Sequence, residues 1–239
     1  MGTSQLDAPC ARYTSGEYLQ QTGGKWHLQD SPFKARQVLT MLRRNNIAPQ
    51  SICEVGCGAG GILSQLQQQM PDAADFVGYE ISPQAHQISQ QFANDRLRFH
   101  CRDAFADQTY FDLVLAMDVV EHVEDCYGFL RQLRDKGCYK LYHFPLEISV
   151  LTCMRESRGL NSWRTLGHIH RFTLTTALEA VRYTGQEVVD HFLTPGSLDT
   201  PKLRWRTALA NVPRRILKLI SPTFTQRLLG GSSALILAR

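Results

Sequence analysis

At 239 residues, 43% of them apolar, the chain is long enough for one α/β domain with a full core and too short for a roomy two-domain dehydrogenase. Its seven cysteines (10, 53, 57, 101, 126, 138 and 153) are odd in number and scattered, which excludes a disulfide framework and predicts reduced thiols. The net charge of +4 hides a division: eight basic and no acidic residues follow position 200, so the first 200 residues carry −4.

In chain order, residues 1–30 are polar and hold no apolar run of signal length, and no later run has the length of a membrane span. These features predict a cytoplasmic protein. Tyr13, Tyr18, Trp26 and His27 punctuate this stretch. Ser31-Pro32 then reads as a helix start, with serine as cap, and Phe33, Val38, Leu39 and Leu42 form an apolar stripe. Residues 1–46 are thus expected to be an N-terminal helical arm.

Ser51 to Leu63 is the most informative stretch. An apolar strand ends in Glu54-Val55, passes through Gly56-Cys57-Gly58-Ala59-Gly60-Gly61, and restarts as a helix with Ile62, Leu63 and Leu66 on one face. Small residues let a ligand touch the backbone, and the helix start suits a negatively charged group. Gly56-x-Gly58-x-x-Gly61 also satisfies the dinucleotide fingerprint, so the loop alone does not separate a nicotinamide enzyme from other nucleotide users. Glu54 shifts the balance, because its carboxylate suits an ammonium group and a pyrophosphate has no use for it. Cys53-xxx-Cys57 lacks a third cysteine where Gly60 stands, so no iron–sulfur cluster is expected.

With Glu54-x-Gly56-x-Gly58-x-Gly60 the chain resembles the class I S-adenosylmethionine-dependent methyltransferases. The resemblance implies that Glu54, Gly56, Cys57, Gly58 and Gly60 hold the methionine end of S-adenosyl-L-methionine, carboxylate toward the helix start and ammonium toward the acid. It also implies that the N-terminal arm folds over the cofactor, with Tyr18, Trp26 and His27 as lid residues.

A second strand, Asp75 to Glu80, ends in a carboxylate where a Rossmann-like sheet places the acid that accepts ribose hydroxyls. The resemblance gives Glu80 that role and packs Ile81 against the adenine. Ser82-Pro83 starts a helix with Ala85, Ile88 and Phe92 inward, and Leu97 to Cys101 forms a third strand. Asp103 and Ala104 follow. They are expected either to meet the adenine, as the resemblance implies, or to close a turn.

The fourth strand, Phe111 to Met117, runs into Asp118-Val119-Val120-Glu121-His122. Met117 and Asp118 are expected to border the transferring methyl, since strand tips on one edge carry the ligands in such folds. If a helix begins here, Asp118, Glu121 and His122 share a face, and three readings follow: a capping box from the two acids, a proton transfer by His122, or a divalent cation. The capping box accounts for both acids, and no metal is expected. The ubiquinone-type O-methyltransferases carry a similar acid-x-x-Glu-His linked to a metal.

A helix from Tyr127 to Leu133 leads to a fifth strand, Tyr139 to Pro145, with His143 near its tip. Residues 146–170 lack periodicity and correspond to the acceptor-pocket insertion of the resembled class, with His168 just before a helix capped by Thr173. His122, His143 and His168 are the candidate catalytic bases. Glu187 to Phe192 makes a sixth strand and Ala234 to Ala238 the last. Between them, residues 195–231 form a basic insertion where the resembled family has a short connection, with Leu209, Val212, Ile216 and Ile220 opposite Arg214, Arg215 and Lys218.

The expected fold is a Rossmann-like three-layer sandwich in one domain: a seven-stranded, mostly parallel sheet with an antiparallel last strand, cofactor core over 47–194. The expected function is O-methylation of a small or lipid-linked acceptor such as a saccharide, quinone or secondary metabolite. Residues 201–229 are expected either to form a helical cover with a solvated basic face or to meet a membrane surface, an anionic substrate or a second subunit. The alternatives are an NAD(P)-dependent oxidoreductase and a non-catalytic S-adenosylmethionine-binding module. Nucleic acid is not an expected partner, because the basic residues lack interleaved aromatics. No pattern in the chain sets an oligomeric state.

Overall fold

The computed structural model describes residues 28–73, 75–155, 161–195, 217 and 220–239. The expectations for Tyr13, Tyr18, Trp26 and His27, and for most of the basic insertion, lie outside these residues.

Seven strands form one sheet in the order β3-β2-β1-β4-β5-β7-β6. They are β1 (Ser51–Val55), β2 (Asp75–Glu80), β3 (Leu97–Cys101), β4 (Phe111–Met117), β5 (Gly137–Pro145), β6 (Val188–Pro195) and β7 (Ser232–Ala238). β1 to β5 pair in parallel, and β7 lies antiparallel between β5 and β6. The helices are α1 (Ser31–Arg44), α2 (Gly61–Gln69), α3 (Pro83–Ser89), α4 (Cys126–Arg134), α5 (Val150–Cys153), α6 (Leu174–Tyr183) and α7 (Pro222–Leu229).

The central strands are apolar on both faces because helices cover both, and period-two alternation splits their side chains between two cores. Leu113 and Leu115 of β4 pack with Val38, Leu39 and Leu42 of α1 and Leu63 and Leu66 of α2. Val114 and Ala116 face the other way, toward Phe129, Leu130 and Leu133 of α4 and Val181 of α6. Each fully buried leucine contributes about 1.5–3 kcal/mol from burial.

Several expected boundaries shift. β6 runs on to Pro195 and β7 begins at Ser232, because the two extend their antiparallel ladder to the sheet's functional edge. Ser31 is inside α1 rather than its cap: Asp30 takes the N-cap position without a side-chain bond, after a 3-10 turn over Leu28–Asp30. Thr173 does cap α6, in a reciprocal box with Thr176.

Candidate active site

The register brings the strand ends to one edge: Glu54 lies beside Gly78 and Leu115, and Met117 beside His143. Along that edge the glycine loop turns with positive φ at Gly56 (71°), Gly58 (53°) and Gly60 (77°). A side chain at Gly60 would strike the ring of Phe99, so glycine is enforced there by contact as well as by φ. The loop is internally tied. The N–H groups of Gly56 and Cys57 donate to Tyr79 O at 2.9 and 3.0 Å, and that of Gly58 to Glu80 Oε2 at 2.8 Å. Anion recognition therefore falls to the start of α2, whose N-cap Gly60 offers no side-chain bond.

Glu54 is 1% exposed, and its Oε2 has no hydrogen-bond partner among the described residues. Burial pushes its carboxyl up to about 8, against the pull of the Lys34 charge. A buried carboxylate oxygen left unpaired beside the loop fits an incoming ammonium group. Glu80 is buried and accepts from Ser82 N–H through its other oxygen, at 2.8 Å. Those two backbone bonds still leave lone pairs on both oxygens for hydroxyl donors. Ile81 next to it is 42% exposed, an apolar surface open to a ring. Asp103 caps the short turn Ala104–Ala106 through Phe105 N–H, while Ala104 is buried.

The β4 tip departs from the expected helix start. Asp118 is left-handed (φ 61°), and only a 3-10 turn, Val120–His122, follows, with Val119 at its N-cap and no side-chain cap bond. The capping box does not form. The carboxylate of Asp118 instead accepts from Lys34 Nζ at 2.6 Å and from His143 Nδ1 at 2.5 Å. Burial alone would raise this carboxyl, but the His143 and Lys34 charges outweigh it and hold it below the usual range. His143 Nε2 meets Thr194 Oγ1 at 2.9 Å, so both of its nitrogens are engaged.

Asp118 therefore stands outside the short turn that carries Glu121 and His122. Glu121 is fully buried with neither carboxylate oxygen hydrogen-bonded among the described residues. Burial, then the nearby Asp118 charge, raises its carboxyl. Its carbonyl accepts from Ile169 and His170 N–H at 2.9 and 3.1 Å, which pins the 167–170 loop to the β4 tip. His168 is thereby brought against His122, ring centroids 4.8 Å apart, and His122 Nδ1–H donates to Gly167 O at 3.1 Å. Ligand atoms of Glu121, His122 and His168 all lie within 4.8 Å of one another, so the set able to hold a cation contains His168 in place of Asp118.

Glu147, absent from the sequence reading, joins this cluster. Its Oε1 takes His168 Nδ1 at 2.7 Å and the Ser162 hydroxyl at 2.7 Å, with Arg171 3.8 Å from Oε2. Burial would raise its carboxyl, yet the His168 hydrogen bond and charge bring it below the usual value. One residue further on, Ile148 opens a cavity of about 560 Å³ lined with Val150, Leu174, Leu193 and Arg227.

The chain matches a family described as a methyltransferase domain over residues 26–191, more than half its length. It is 31% identical over 118 residues to the mitochondrial ubiquinone biosynthesis O-methyltransferase of Schizosaccharomyces pombe, covering 46% of this chain and 42% of that protein. It is 30% identical over 114 residues to the norajmaline N-methyltransferase of Rauvolfia serpentina, covering 41% and 38%. The chain thus spans less than half the length of these curated relatives. In fold it resembles the Synechocystis PCC 6803 magnesium protoporphyrin IX methyltransferase with bound SAH, with a TM-score of 0.58 and 18% identity over 100% of this chain and 90% of that one. The family match removes the nicotinamide reading that the glycines alone left open. The sheet order, the glycine turn beside an unpaired buried acid and the matched span agree: the chain belongs to the methyltransferase-domain family and has the architecture of its class I S-adenosylmethionine-dependent members.

Proposed function

We propose that the protein moves the methyl group of S-adenosyl-L-methionine to a hydroxyl of a small or lipid-linked acceptor. The sulfonium of the bound cofactor supplies an activated methyl. The Glu54 carboxylate would hold its ammonium, the start of α2 its carboxylate, Glu80 its ribose, and Ile81, Asp103 and Ala104 its adenine, with Met117 and Asp118 at the reacting end. The chain then has to align the acceptor oxygen, exclude water and accept one proton.

The observation that carries the hydroxyl reading is the 2.7 Å bond from His168 to Glu147. A carboxylate on Nδ1 fixes the tautomer, orients the ring and leaves Nε2 as the basic nitrogen. A hydroxyl must lose its proton on becoming an ether, and this pairing favours that step, whereas a neutral amine attacks before it gives up a proton. Relatives with either kind of acceptor in their names are similar to this chain, so the base supports the choice. His122 stands next to His168 as the second candidate. His143, engaged at both nitrogens, is assigned to positioning.

The cavity lined by Ile148, Val150, Leu174 and Leu193 contains none of the site residues named above, so it offers apolar room near the 146–170 stretch without defining where the acceptor sits. The basic stretch 201–229 would meet an anionic surface or substrate; within its described part, α7 exposes Phe224 with Arg227 one turn on. No helix among the described residues is long and apolar enough to cross a membrane.

The test is incubation with methyl-labelled cofactor and fractionated cell extract, followed by identification of the labelled product. A label on nitrogen, or no transfer despite tight cofactor binding, would defeat the hydroxyl reading; the second result would favour the binding module. One observation favours a metal variant of the mechanism: the oxygens of Glu121, which take no hydrogen bond among the described residues, lie near two imidazoles, His122 Nε2 being 3.9 Å from Oε1. One oxygen and two nitrogen donors suit zinc or iron better than magnesium. Base catalysis without metal predicts full activity after EDTA dialysis; loss that Zn²⁺ restores in the parent but not in Glu121→Gln would transfer the assignment.

A further inference from the structure

One carboxylate ties four stretches of the chain together. Asp118 at the β4 tip takes Lys34 from the first turn of α1 and His143 from β5, and His143 reaches Thr194 on β6. His143 Nδ1 faces Asp118 and its Nε2 lies 2.9 Å from Thr194 Oγ1, so one ring bridges the β4 tip and β6. The backbone N–H of Asp118 also donates to His143 O, at 3.2 Å. These partners surround a residue whose left-handed φ of 61° is uncommon for anything but glycine, asparagine or aspartate.

That conformation has consequences on both sides. The next residue, Val119, lies so close to Gly56 that an added Cβ there would sit 2.7 Å from its Cγ2, which makes the tip a wall of the glycine loop. Two residues further, Glu121 and His122 enter the acceptor-side cluster. The β4 tip is therefore a short rigid bar between the cofactor end and the acceptor end, and its angle is set at Asp118.

We propose that Lys34 is a positioning residue: by pairing with Asp118 across α1 and β4 it fixes the tip and so sets the glycine loop and the Glu121-His122 pair relative to each other. Simple docking of α1 does not require it. That helix already buries Ala35, Val38, Leu39, Met41 and Leu42, and its far end is held to β6 by Arg44 and Asn45 on Asp190 at 2.8 and 3.0 Å. The role in turnover rests on the methyl-transfer reading; the control of the tip does not.

The experiment uses the whole chain with saturating S-adenosylhomocysteine and three variants, Lys34→Gln, Lys34→Arg and, as a docking control, Arg44→Gln. Amide hydrogen exchange over 117–123 and the His143 Nδ1–H proton resonance in ¹⁵N-histidine-labelled protein are measured together. Lys34→Gln is expected to speed exchange over 117–123 at least fivefold and to shift or broaden the resonance; Lys34→Arg returns both to within twofold of the parent, and Arg44→Gln moves neither. With an acceptor in hand, Lys34→Gln lowers kcat at least tenfold while the acceptor KM stays within threefold.

Unchanged exchange and an unchanged resonance in Lys34→Gln would overturn the proposal, as would equal effects from Arg44→Gln. Should Lys34→Gln fail to fold, Lys34→Met, which keeps the aliphatic stem and removes the charge, is measured in the same way, and parent-like exchange and resonance there also overturn the proposal. If the tip loosens as expected while no acceptor is ever turned over, the methyl-transfer reading fails and the positioning role stands.

Discussion

Cofactor binding is expected to depend on pH through Glu54. The carboxyl is 1% exposed and its burial places it at about 8 in the free protein, so below pH 8 it is mostly protonated and cannot pair with an ammonium group. Pairing requires the ionised acid and the protonated amine, an α-amino group of pKa about 8. At pH 6 about 1% of the protein and nearly all of the ligand are in the competent form; at pH 8 about half of each is. The product rises about 25-fold, which is about 1.9 kcal/mol, and falls again above pH 8 as the amine deprotonates. Isothermal titration calorimetry in buffers of different ionisation enthalpy should show this tightening and about one proton released per cofactor bound at pH 6. Glu54→Gln should bind at least tenfold more weakly at pH 8 and lose the rise between pH 6 and 8, since a charged hydrogen bond of about 1.5–3 kcal/mol is gone. Affinity flat from pH 6 to 8 in the parent, or a slope that survives in Glu54→Gln, would refute the assignment of the ammonium to this acid.

Gly56→Ala should lower the melting temperature, because φ is 71° there and the new Cβ would meet Val119 Cγ2 at 2.7 Å, a strain of about 1–3 kcal/mol; pairing it with Val119→Ala should recover part of the loss. Glu80→Ala strips the buried acceptor from the Gly58 and Ser82 N–H groups, at about 1–3 kcal/mol for each donor left unpaired. Thermal melts should register this loss, and calorimetry a cofactor affinity at least tenfold lower; an unchanged affinity would remove Glu80 from the site. His168→Asn should cut kcat by about 10²–10⁴ with cofactor binding intact, and Glu147→Gln by less, since it leaves the imidazole but not its fixed tautomer. Stopped assays of the labelled product measure both, and equal activity in His168→Asn would eliminate it as the base.

The parts of this architecture that announce themselves in the chain are those in which a local rule and the global structure demand the same residues. A strand ending in Glu54 before alternating glycines, and a second ending in Glu80, give the cofactor edge because the spacing between strand tips is set by the length of one helix and one return. The β4 tip is the opposite case. Asp118-x-x-Glu121 satisfies the capping-box pattern, and nothing local distinguishes an aspartate that caps a helix from one that turns left-handed before a 3-10 turn. The distinction is made by Lys34 and His143, which approach from α1 and β5 and supply the two donors that the helix would otherwise have offered.

Glu147 carries no local signal for a related reason. It sits in an aperiodic stretch, and its meaning comes from His168, delivered by a loop that is itself pinned by Ile169 and His170 to the Glu121 carbonyl. That pinning also explains how Glu121 can be kept so deep in the protein. Its backbone oxygen bears two hydrogen bonds that fasten the 167–170 loop, so moving the residue outward to hydrate its carboxylate would release the loop that carries His168. The buried side chain, which takes no hydrogen bond among the described residues and has only His122 Nε2 at 3.9 Å, is therefore retained by what its main chain holds.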